Sequence, residues 1–188
     1  MSNQKSLDIN KIKFLDESSI NLGMTRLYGY SLKGERIEEC VPDVRFERTS
    51  IIAAIGLEGI IAPMTYKDTL NGDLFTTYVK EVLVKELKSG DILLMDNLSS
   101  HKSNNQEAIK PLIEKGIEVI WLPPYSSDLN PIELTWSKLK TYIRKKKPRT
   151  TDKLMKVLKE ALEYITKEDI RNWFKHDGYF FNPLSINV

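Results

Sequence analysis

Two short apolar runs, Ile92–Met95 and Ile117–Leu122, lie on either side of an amphipathic stretch, Gln106–Lys115, that stops at Gly116. Runs this short, joined through a helix that can cover one face of a sheet, predict neighbouring parallel strands. Each run gives way to a polar segment that carries an acid. Ile92–Met95 passes directly into Asp96 and the turn Asn97-Leu98-Ser99-Ser100-His101. Ile117–Leu122 passes through the Pro123-Pro124-Tyr125 loop to Asn130-Pro131-Ile132-Glu133, which opens another helix. Ligands of open α/β sheets bind beyond the carboxyl ends of the strands, so this stretch sets two carboxylates where a site is expected.

Upstream, Lys11–Ser18 reads as a strand ending at Asp16, and Thr25–Leu32 as a second strand by its alternation. Thr49–Leu57 reads as a third, prolonged past a bend by Gly59–Pro63. Together they predict an antiparallel meander, while Glu35–Arg48 is charged and irregular and is assigned no element. From Asn71 to Lys88 the period changes to that of a helix, with Leu74, Tyr78, Val82 and Leu87 on one stripe and Gly90 just past the end. Downstream, the helix from Pro131 carries Ile132, Trp136, Leu139 and Ile143 on one face. Thr151–Ile165 is a further amphipathic helix, and Thr166-Lys167-Glu168-Asp169 has the spacing of a capping box before a last helix with Ile170, Trp173 and Phe174. The fold class is therefore α/β: a mixed five-stranded sheet, antiparallel meander then parallel strands, flanked by helices. This order of elements is that of a ribonuclease H-like domain.

A length of 188 residues with 41% hydrophobic content suits one domain over 1–188, the sheet and its helices over about 8–147 and C-terminal helices over about 150–180. The net charge of +2 says little about partners; the distribution says more. Cys40 is the single cysteine, which excludes an internal disulfide and a cysteine-based zinc cluster. The longest apolar run, Ile51–Ile61, is broken by Gly56, Glu58 and Gly59, so no membrane span is expected, and the opening residues lack a secretory core segment. These features predict an intracellular protein.

Asp16, Asp96 and Glu133 would come from two strand ends and a helix start, and three such acids make an oxygen-rich pocket for a divalent cation. Each alone has an ordinary explanation. Asp16 suits a turn, Asp96 an Asx-turn, and Glu133 a capping arrangement with Asn130 as N-cap and Pro131 at the first helical position. Convergence at one sheet edge favours the site. His101 comes soon enough after the Asp96 turn to reach a phosphate, whereas His176 reads as a helix-terminus residue near Gly178. Neither a phosphate-binding glycine loop nor a nucleophile elbow is present in the sequence. Lys138, Lys140, Arg144, Lys145, Lys146, Lys147 and Arg149 form a basic run with no acid among them, along the helix that Glu133 begins. Cations suit a helix carboxyl terminus, but a nucleic-acid backbone laid along this helix would point a phosphate at the acids.

DNLSSHK, WLPPYSSDLNPIELTWSKLK, FLDESSINLG and NWFKHDGY together closely resemble the signature of DDE transposases of the mariner superfamily, in its bacterial insertion-sequence 630 branch. The resemblance covers nearly the whole chain. It implies that Asp16, Asp96 and Glu133 are the catalytic and metal-holding acids, binding two Mg²⁺ or Mn²⁺ ions. It also implies cleavage of double-stranded DNA at transposon ends, then strand transfer into target DNA, in the cytoplasm of a prokaryotic cell at the nucleoid. Asn97 and His101 join the basic run as candidate DNA contacts, and a homodimer is a further candidate assembly. Asp16 comes too early for the family's usual helix-turn-helix modules, which are expected to be absent or supplied by a separate subunit or upstream frame. Ser127 stands where the family's loop commonly has proline. The rival expectations are an inactive derivative that only binds DNA or a partner, and another ribonuclease H-like nuclease.

Overall fold

The computed structural model describes residues 8–38, 48–67, 69–96, 105–124 and 126–179. One sheet contains β1 (Ile12–Ile20), β2 (Thr49–Gly56), β3 (Gly59–Lys67), β4 (Ile92–Met95) and β5 (Glu118–Trp121), in the order β3-β2-β1-β4-β5. β1 pairs antiparallel with β2, as β2 does with β3. β4 pairs parallel with both β1 and β5. This is the expected mixed sheet.

One meander strand is not where the alternation put it. Thr25–Leu32 forms no strand, and Leu27, Tyr28, Tyr30 and Leu32 are exposed. The two edges of β1 are taken by β2 and β4, so the segment leaving β1 has no partner there. The missing strand comes from further along. What reads as one prolonged strand from Thr49 folds into a hairpin at Leu57-Glu58, with Gly56 paired to Gly59 and Gly59 at φ 136°, a conformation suited to glycine.

Side chains alternate between the faces of the sheet. Ile12, Phe14, Ile51, Ala53, Ile92 and Leu94 belong to the core shared with α4 (Ile132–Lys146), α5 (Thr151–Glu163) and α6 (Lys167–His176). Leu15, Ile52, Ala54, Leu93 and Met95 belong to a second core on the other face. It is shared with α1 (Gly72–Tyr78), the π-helical turn Val79–Leu83, α2 (Val84–Glu86) and α3 (Asn105–Glu114). α6 starts with the expected capping box of Thr166 and Asp169. Phe174 and Tyr179 meet Phe14 edge-on at 5.3 and 5.0 Å, and the Tyr179 hydroxyl donates to the Leu129 carbonyl at 2.9 Å. Tyr179 is thereby fastened to the loop before α4. Among the described residues no helix is long and apolar enough to cross a membrane.

Lys13 is a buried cation, only 2% exposed. Its Nζ lies 2.7 Å from Glu58 and donates to the Asn10 carbonyl at 3.0 Å. Removing one partner of a buried pair leaves an uncompensated charge, whereas replacing a buried ion by an apolar side chain is often tolerated. Because the Glu58 side chain is half exposed, Glu58→Ala is expected to lose about 2 kcal/mol, below the cost for a fully buried pair. Lys13→Met should lose less. Urea unfolding checks this, and the reverse ranking would contradict it.

Candidate active site

The parallel pairing of β1 and β4 ends at Leu15 with Met95. Asp16 and Asp96 are each the next residue, so each follows the last paired position of its chain in that ladder. Asp96 is at a strand end as expected. Asp16 is not: β1 continues to Ile20, and Asp16 sits mid-strand opposite Ala53 of β2. Alternation gives Asp16 the phase of Phe14, toward α4, while Glu17 takes the opposite phase and accepts a 2.5 Å hydrogen bond from the Tyr66 hydroxyl.

α4 brings the third acid. Trp136 is buried on its inner face, and the indole Nε1–H donates to Asp16 Oδ2 at 2.9 Å. Glu133 lies one turn earlier, exposed, in the first turn of the helix. Burial pushes the Asp16 carboxyl up to about 7, and the charges of Glu133 and Asp96 push the same way. Hydrogen bonds from the Glu17 backbone and from Trp136 oppose the rise.

Glu133 is not part of the expected cap. Pro131 is the N-cap and no side chain caps the helix; Asn130 is buried, its Oδ1 without a hydrogen-bond partner among the described residues. The chain reaches the first turn through backbone bonds from Glu133 N–H to the Asn130 carbonyl and from Leu134 N–H to Pro131. The capping arrangement therefore does not account for Glu133, which keeps only the general preference for an acid in a helix's first turn.

The donor set fits a hard divalent cation: three carboxylates within electrostatic reach, with like charges raising the Asp16 pKa. The fit is in chemistry and placement rather than closed coordination. Among the described residues no three His, Cys, Asp or Glu side chains are close enough to hold an ion as they stand.

The basic candidates divide. Lys138 Nζ is 2.5 Å from Asp169 of α6 and lies over the Tyr164 ring, and Arg149 donates to the carbonyls of Leu22 and Met24. Both are thus engaged within the fold. Lys146 is 3.6 Å from Glu160, an exposed pair worth little. Arg144 and Lys145 lie in the last turn of α4, Lys147 is its C-cap, and Lys140 is partly buried at mid-helix. Asn97, His101 and Cys40 lie outside the described residues. His176 does end a helix, its Nδ1 2.7 Å from the nearly buried Asp177. Both line a cavity of about 490 Å³ with Glu133, Ser127 and Asp128. Sequence reasoning placed Trp136 in the core and missed its bond to Asp16. The signal that could have found it is that a buried indole N–H requires an acceptor.

Among solved structures the fold is similar to a pre-cleavage Mos1 transpososome, with a TM-score of 0.72, 19% identity, and 96% of this chain aligned to 60% of that one. The Mos1 transposase paired-end complex with left transposon end gives 0.70 and 20%, over 93% of this chain and 57% of that one. The catalytic domain of Mos1 mariner transposase gives 0.61 and 18%, over 93% and 85%. The fold is thus that of the ribonuclease H-like catalytic domains, and the chain spans about three-fifths of the longer Mos1 chains. No curated protein sequence matches it. The match to the DDE superfamily endonuclease family covers residues 11–155, and the chain belongs to that family.

Proposed function

We propose that this chain is the catalytic part of a mariner-superfamily DDE transposase, which cuts double-stranded DNA at transposon ends and joins the freed strand to target DNA. Asp16, Asp96 and Glu133 are the residues that would hold divalent cations, Mg²⁺ or Mn²⁺, two per site. The observation that carries the reading is that Asp16 on β1, Asp96 just past β4 and Glu133 on the first turn of α4 lie near enough for the charges of the last two to raise the Asp16 carboxyl. Mos1 paired-end complexes with Mg and with Mn have a similar fold, which supports the metal class. The insertion-sequence 630 assignment rests on the motifs at Asp96 and Glu133.

The chemistry bound divalent cations supply in such a site is a lowered pKa for an attacking water or 3′-hydroxyl and stabilisation of the leaving oxygen. The chain's own residues prepare for it. Trp136 donates its N–H to Asp16 Oδ2, which restrains how the carboxylate turns. Burial raises the Asp16 carboxyl to about 7, so a cation binding there at lower pH would have to displace a proton. Glu133, on the first turn of a long helix, is carried by a rigid element.

The test uses a duplex bearing the terminal inverted repeats that flank the coding sequence. Nicking at those repeats in Mg²⁺, none in EDTA, and none from Asp96→Ala or Glu133→Ala is expected. Metal-dependent nicking that survives Asp96→Ala would overturn the assignment. Pairing of two copies on DNA belongs to the same reading, as does recognition of the ends by a separate helix-turn-helix subunit. Light scattering of the complex with and without that subunit tests both.

A further inference from the structure

At the far end of α4 from Glu133 the chain turns through Lys147, in the left-handed conformation, and Pro148 into α5. Between the two helices lies a groove of about 320 Å³ whose charged lining is Lys146, Lys147, Arg149, Lys153 and Lys156, with Glu160 as the single acid. Only the first three of these cations belong to the basic run of α4. Lys153 and Lys156 come from α5, three residues apart and so on one helix face, about 5 to 6 Å from each other. The topology folds one charged helix end against a second, and five cations face the one acid of the lining.

Arg149 is anchored by the Leu22 and Met24 carbonyls, so it contributes fixed positive charge. Lys146 and Glu160 are 3.6 Å apart and partly exposed, a contact that a phosphate oxygen can displace at little expense. A groove whose cations come from the end of one helix and the start of the next suits a chain of phosphodiesters better than an isolated anion. Lys146 is thirteen residues from Glu133, about 20 Å along α4. At 3.4 Å per base pair that is about six base pairs.

We infer that the α4–α5 groove is a phosphodiester-binding site for duplex DNA, with Lys146 about six base pairs from the position bound at the acids and Lys153 and Lys156 as further backbone contacts across the groove. The inference rests on the reading of this chain as an enzyme that acts on DNA. It adds a second anchor that fixes how the duplex lies along α4.

Fluorescence anisotropy with a labelled duplex in EDTA, titrated with salt, tests the site without requiring cleavage. Lys153→Gln/Lys156→Gln should bind roughly tenfold more weakly near 0.1 M salt, with the log–log salt slope reduced in magnitude by about 2. The corresponding double arginine variant should keep wild-type affinity, and Lys159→Gln on the same helix should change neither quantity. Circular dichroism and Tm confirm that each variant is folded. Wild-type affinity and slope in the folded double glutamine variant would overturn the groove and leave the catalytic reading standing. Loss of binding in that variant, alongside a wild type that never nicks in Mg²⁺, would support the groove and defeat the catalytic reading. Failure of the wild type to bind duplex at all would overturn the groove.

Discussion

Asp16→Asn is expected to abolish metal-dependent DNA cleavage, by about 10³-fold or more, and at the same time to make the metal-free protein more stable at pH 8. The loss corresponds to at least about 4 kcal/mol of barrier. The gain comes from the raised pKa, about 7 against an ordinary 3.8. Between those values the folded state keeps a proton that the unfolded state has released, so wild-type stability falls as pH rises through the window and levels off above 7. The penalty is of order 2–4 kcal/mol. Asparagine carries no charge to desolvate and still offers an oxygen to the Trp136 N–H, so the variant escapes it. Thermal unfolding in EDTA should show the two proteins alike near pH 4 and the variant higher by several degrees at pH 8. Adding Mg²⁺ should raise the wild-type Tm more than the variant's. Equal Tm values at pH 8 would mean that Asp16 is not strained by burial and by its acidic neighbours.

Trp136→Ala should be the most damaging single change in the core, by about 3–5 kcal/mol, because it empties the contact between α4 and β1 beneath the site. That is a large share of a typical domain's stability of about 5–15 kcal/mol. Trp136→Phe separates packing from hydrogen bonding. It keeps most of the apolar contact and removes the donor to Asp16, so the stability loss should fall to about 1–2 kcal/mol. Cleavage should need more Mg²⁺, since an unanchored carboxylate is both more basic and less well aimed. A Mg²⁺ titration of nicking rate reads this directly. An unchanged half-saturation would show that the indole only packs.

Where the candidate acids sit on their own elements was partly legible because those signals are local. The run Ile92–Met95 with an acid directly after it, and the Pro131-Ile132-Glu133 helix start, fix where Asp96 and Glu133 sit relative to their own elements. Alternation along β1 separates Asp16 from Glu17. The capping box at Thr166 was readable for the same reason: all its partners lie within four residues. The failures were questions of pairing. Thr25–Leu32 alternates well enough for a strand, but an edge to pair with is a property of the whole sheet, and both edges of β1 were already taken. Asn130 has the right residue type and position for a cap, yet it is buried and its side-chain oxygen has no hydrogen-bond partner among the described residues.

The sequence by itself determined the class of fold, the family and which three acids to examine, since each is encoded in short-range patterns of apolar runs, turns and motif residues. The tertiary structure alone decided that Asp16 lies mid-strand level with the end of β4, that Trp136 donates to it, that Lys138 and Arg149 bond within the fold, and that Lys153 and Lys156 line one groove with Lys146, Lys147 and Arg149. Those relations link residues up to 120 positions apart, as Asp16 and Trp136 are, and distance along the chain carries no record of which side chains a packed core will bring together.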